Sequence, residues 1–141
     1  MDYKKYVDKK SPKPNYIKNY TLAFLVGGLI CTIGQLILNM FINFGLDKQT
    51  ASTATSMSLI FLGAFLTGLG VYDIIGKYGG AGSSIPITGF SNSVVSPAME
   101  FKREGYVLGV GGKMFTIAGP VLVYGISSSV IVGIIYYFIG R

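Results

Sequence analysis

A chain of 141 residues bounds the protein to at most one domain, and half of it is hydrophobic while only 13% is charged. Soluble domains carry about 25% charged residues, so this composition, with a mean hydropathy of +0.54, excludes a soluble domain and identifies an integral membrane protein. The formal net charge of +6 does not mark a nucleic-acid binder, because six of the twelve basic residues precede residue 19 and no recognition motif follows them.

The N-terminal arm, residues 1–19, carries Lys4, Lys5, Lys9, Lys10, Lys13 and Lys18 against Asp2 and Asp8. Pro12 and Pro14 favour extended chain through the run Ser11-Pro12-Lys13-Pro14. The apolar run behind the arm is too long for a cleavable signal and lacks a small-x-small cleavage site. The arm reads as a topology determinant, held in the cytoplasm by the positive-inside rule.

A first span is expected over about 20–44. Its twenty-five residues contain no charge and reach about 37 Å as a helix, enough to cross the bilayer with tilt. Gly28, Thr32, Gln35, Asn39 and Asn43 recur every three or four residues, which sets them on one helical face. Such a stripe is poorly placed against lipid and should face protein or water. Interhelical hydrogen bonding and the wall of a permeation path both fit it. Cys31 lies in the same segment and, as the single cysteine, excludes an internal disulfide.

A second span is expected over about 51–72. Ser52, Ser56, Gly63, Thr67 and Gly70 form a small-residue face suited to close helix packing. Asp47 and Lys48 fall in the connection, so the hairpin tip lies opposite the basic arm.

From Asp73 to Ser96 the chain is too polar and too interrupted for an ordinary span, yet too apolar for a solvent loop. Irregular backbone survives in a bilayer only where protein buries it or where it lines a watery cavity. Residues 84–99 are interrupted by Pro86, Gly89, Asn92 and Pro97, and residues 100–105 make a charged break. Residues 106–115 form a second short piece. Two short apolar segments around a charged break predict broken or re-entrant half-helices over about 84–115. The competing reading is a single irregular crossing. A last span is expected over about 116–140, with Gly125, Ser129 and Gly133 as a packing face and Pro120 as an opening or a kink.

The inventory of chemical groups argues against catalysis. Histidine is absent, and Asp73, Glu100 and Glu104 show no spacing that suggests acid–base work or a metal cage. Gly80-Ala81-Gly82-Ser83-Ser84 lacks the Gly-Lys-Ser/Thr ending of a Walker loop. It reads instead as an anion-attracting nest, with Lys77 and Lys113 as reinforcing charges. No metal site or cofactor is expected.

Three blocks carry a resemblance. Residues Ala23 to Gln35 (AFLVGGLICTIGQ) look like the first-span motif of the stage V sporulation protein AC family. Leu66 to Asp73 (LTGLGVYD) with Gly79 to Phe90 (GGAGSSIPITGF) resembles its central signature. Glu100 to Gly105 (EFKREG) with Leu108-Gly109 matches a third block, so the likeness spans roughly residues 12–135. The residues themselves predict an all-α polytopic membrane protein with three clear spans plus a broken half-helix region and the basic arm on the cytoplasmic side. The resemblance implies a place in the inner membrane of the developing spore, where that side is the spore core. It also implies a channel subunit that moves dipicolinic acid, with calcium, into the forespore and out at germination. Implied partners are an AE-type membrane subunit and a soluble AD-type subunit.

Within that picture Thr32, Gln35 and Asn39 are expected as pathway wall. Gly80, Gly82, Ser83, Ser84, Thr88 and Asn92 are expected as the constriction or binding element. The alternative is a structural scaffold that assembles partner membrane proteins without itself forming the pore.

Overall fold

The structure, a computed structural model, describes Val7, Lys10 and residues 15–140. Most of the basic arm therefore lies outside the described residues. Among those described, regular structure is helical throughout. Helix α1 runs Tyr16–Asn43, α2 Lys48–Gly68, α3 Tyr72–Gly79, α4 Ala81–Ser84 and α5 Ile87–Glu100. A 3₁₀ turn at Phe101–Glu104 and a π-helical turn at Tyr106–Gly111 lead into α6, Gly112–Ile139. Three helices are long and apolar enough to cross a membrane: Tyr16–Asn43, Lys48–Gly68 and Tyr106–Ile139. The protein is an all-α polytopic membrane protein.

Local chemistry sets the hairpin. Asp47 caps α2, its carboxylate accepting from the amides of Gln49 and Thr50 at 3.1 Å each and from the Thr50 hydroxyl at 2.6 Å. Both long helices before the broken region end in the same way. Gly45 (φ 91°) follows α1, with its own amide on the Ile42 carbonyl and that of Leu46 on Phe41. Gly70 (φ 70°) follows α2, with its amide on Thr67 and that of Val71 on Leu66. Each is a Schellman closure that needs a left-handed residue just past the helix. The second closure ends α2 at Gly68, so Tyr72 begins α3 instead of ending the second span.

The interior is small and hydroxyl-bearing. Buried residues with apolar bodies are limited to Ala51, Tyr72 and Ala98 among those described, beside buried Thr55, Thr67, Ser83, Thr88 and Ser91. Large apolar side chains point outward, the arrangement suited to a lipid surround, where helices associate by close packing and hydrogen bonds. Helix α5 packs most extensively on α2, while α1 carries α2, α3 and α4 along one side.

The short elements depart from the sequence expectation at both ends. Helix α5 runs through Gly89, Asn92 and Pro97 to Glu100. The piece expected at 106–115 is joined to the last span in one helical run from Tyr106, because Gly111 and Gly112 both take right-handed helical dihedrals. Pro120 sits inside α6 without ending it. Lys113 rests its ammonium 3.9 Å from the centre of the Phe101 ring, a cation–π contact that accommodates a charge in this apolar run. Beyond Pro120, α6 is exposed on every side. Gly125 and Gly133 have nothing within 4 Å of an added Cβ, so their small-residue face is unfilled among the described residues.

Candidate functional site

The broken region is held together by buried hydroxyl groups. Tyr72, at the start of α3, is only 3% exposed. Its hydroxyl donates to the Ser83 carbonyl at 2.8 Å and shares a second bond with the Thr88 hydroxyl, also at 2.8 Å. One phenol thereby ties α3 to α4 and α5. The Ser83 and Ser84 hydroxyls donate to the Gly80 carbonyl at 2.9 and 3.0 Å. Gly80 itself has φ 49° and ψ −126°, a backbone geometry that favours glycine, and makes the turn between α3 and α4.

On the other side of α5, the Ser91 hydroxyl donates to the Ile60 carbonyl at 2.8 Å. The Thr67 hydroxyl lies 2.7 Å from the Gly63 carbonyl and 2.8 Å from Asn92 Oδ1. Among the described residues every buried side-chain polar atom has a hydrogen-bond partner. The cluster as it stands is closed and self-satisfied.

Glycines make this closeness possible. A Cβ on Gly82 would overlap the Ala23 carbonyl of α1, and one on Gly63 would stand 2.8 Å from the Thr88 carbonyl. A Cβ on Gly89 would run into the Ser83 carbonyl. All three obstacles are backbone, which cannot swing aside as a flexible side chain does.

Of the expected site residues, Gly80, Ser83 and Thr88 come together at the α3–α5 junction, and Gly82 sits there against Ala23 of α1. Ser84 is exposed beside them, and Asn92 is half-buried against Thr67. The amides of Gly80, Ser83, Ser84 and Ile85 donate to the carbonyls of Gly76, Gly80, Gly80 and Ala81. These four N–H groups are therefore engaged within the chain. Tyr72 and Ser91 carry the cluster yet were not among the expected site residues. Their signal was faint: a tyrosine at an apparent span end, and a serine within a run of hydroxyls.

Thr32, Gln35 and Asn39 lie elsewhere. All three are exposed, on the side of α1 opposite the half-buried row Ala23, Val26, Gly27, Ile30, Gly34, Ile37 and Phe41 that faces the rest of the chain. The Thr32 hydroxyl donates to the Gly28 carbonyl at 2.8 Å, and Gln35 Nε2 donates to Asn39 Oδ1 at 2.9 Å. Within one chain the expected wall and the expected constriction are on opposite sides of α1.

A groove of about 330 Å³ opens between α1, α2 and α3. Leu29, Ile33, Leu62 and Leu66 line it, and Tyr72 and Thr88 reach it with hydroxyls already paired to each other. Its lining suits hydrocarbon better than an ion. Among the described residues no three carboxylate, cysteine or histidine side chains come together as metal ligands.

Comparison with known proteins places the chain. The family model for the SpoVAC/SpoVAEB sporulation membrane proteins matches residues 19–135. The chain is 50% identical over 137 residues to stage V sporulation protein AC of Bacillus subtilis (strain 168), an alignment covering 96% of this chain and 91% of that protein. No solved structure gives a significant match. With three apolar helices of spanning length and a family match across most of its length, the chain belongs to the SpoVAC/SpoVAEB family of sporulation membrane proteins.

Proposed function

We propose that the protein is a membrane channel or translocation subunit that passes dipicolinic acid, with calcium, into the forespore and releases it at germination. The observation that carries this reading is the α3–α5 element, a run of short helices and hydroxyl side chains wedged between helices of spanning length. Such backbone is tolerated at membrane depth where protein buries it or where it borders a water-filled path. The closed Tyr72–Ser83–Thr88 cluster is then the shut state of a junction whose hydroxyls serve a small dicarboxylate once it opens. The protein works without catalysis, in the inner membrane of the spore, with its basic arm on the core side. It assembles with an AE-type membrane subunit and a soluble AD-type subunit.

The alternative, a scaffold that only assembles its partners, draws on the backbone packing at Gly63, Gly82 and Gly89. The two readings separate on exposed polar residues that the fold does not need. Thr32→Val and Ser84→Ala preserve shape and should leave the amount of protein and of its partner subunits in the membrane unchanged. Spores carrying both are expected to hold several-fold less dipicolinate. Normal dipicolinate at matched protein levels would favour the scaffold.

A further inference from the structure

We infer that the polar stripe of α1 is a seam between copies of this chain, which assemble side by side around an axis normal to the membrane. The stripe has no cover among the described residues: Gly28, Thr32, Gln35, Asn39 and Asn43 are all exposed, on the side away from α2, α3 and α4. Amide side chains at this depth demand protein or water, since lipid offers them no hydrogen bonds.

Three features select a second copy as the occupant. Copies inserted the same way present identical residues at identical depth, so each polar level of one α1 meets the same level of its neighbour. The chemistry is self-complementary as well. Gln35 and Asn39 use one donor and one acceptor on each other, leaving Gln35 Oε1 as an acceptor and Asn39 Nδ2 as a donor with no partner among the described residues. Gly28, on the same face, has nothing within 4 Å of an added Cβ. It leaves room for the close backbone approach by which membrane helices pair. The seam brings the stripes of several chains to one place, which a single chain does not do. It stands whatever the assembly carries.

The test uses the full-length chain in native spore membranes, in a Cys31→Ser background that removes the single native thiol. Thr32→Cys, Gln35→Cys and Asn39→Cys place thiols on the stripe. Ile33→Cys and Met40→Cys place them at matching depth but around the helix, at residues that are 40% and 47% exposed. All five are exposed positions, so folding is preserved and immunoblotting verifies equal amounts. Oxidation with copper phenanthroline is expected to give homodimer adducts from the three stripe positions in several-fold excess over the two controls. Equal yields at all five positions, adducts with other polypeptides alone, or no adducts at all would overturn the seam. Dipicolinate content of the same spores is read separately, so a failed transport proposal and a failed seam leave different records.

Discussion

Tyr72 is the one buried aromatic side chain among the described residues, and its phenol bridges three helices. In Tyr72→Phe the ring stays, but the Ser83 carbonyl and the Thr88 hydroxyl each lose a buried partner. Leaving a buried polar group unpaired costs about 1–3 kcal/mol. The variant is expected to lose stability on that scale in detergent, read from thermal unfolding. Adding Thr88→Val removes the second hydroxyl in nearly the same shape, so the double variant is expected to recover part of the loss. A double variant whose loss equals the sum of the two single losses would show that the bond couples nothing. The glycines nearby teach a different lesson. Their density between Gly79 and Gly89 was plain in the sequence, but density alone does not separate a ligand cradle from a packing seam. Only the proximity of Ala23 and Ser83 decides for packing at Gly82 and Gly89.

At the scale of elements, what could be read in advance was what is decided locally. Uncharged runs gave α1 and α2, and Asp47 stood where a cap belongs. The pairing of Asp47 with Thr50 and Gln49 holds its carboxyl below the ordinary value of 3.8. A depressed acid stabilises the fold above the unfolded value and loses that contribution as pH falls through the folded one. The α2 start is therefore expected to stay closed at neutral pH and to fray only in acid below 3.8. Amide protection factors at Gln49 and Thr50 check this. Asp47→Ala should lower them at neutral pH, and the unaltered chain should approach the variant only in strong acid. Protection indifferent to both changes would remove the cap from the account. The region after Gly105 was less legible, because Gly111, Gly112 and Pro120 are helix breakers by local propensity alone. In an apolar surround an unmade backbone bond is so unfavourable that helix persists through them. The expected division at 115/116 accordingly disappears into one run from Tyr106 to Ile139.

The whole molecule is polar within and apolar without, and its two ends differ in how fully they are used. Helices α2 to α5 interlock through the hydroxyl cluster and α1 packs against them where Gly82 meets Ala23, whereas α6 beyond Pro120 is exposed at every described residue. Composition made the membrane class plain, yet no periodicity distinguishes a helix that packs in its own chain from one that awaits a neighbour. Gly125 and Gly133 read as a packing face, and among the described residues that face is empty. This difference predicts a labelling pattern. In liposomes at high dilution, a lipid-borne photoactivatable carbene should mark α6 evenly around its circumference from Val121 to Ile139. It should spare the buried faces of α2 and α5, where Thr55, Thr67 and Ser91 lie. In native spore membranes the label should retreat from whichever side of α6 a neighbouring subunit covers, and the Gly125–Gly133 side, with the smallest residues, offers the closest approach. One-sided labelling of the diluted chain would instead mean that α6 folds back on its own core, and the empty face would then need no neighbour.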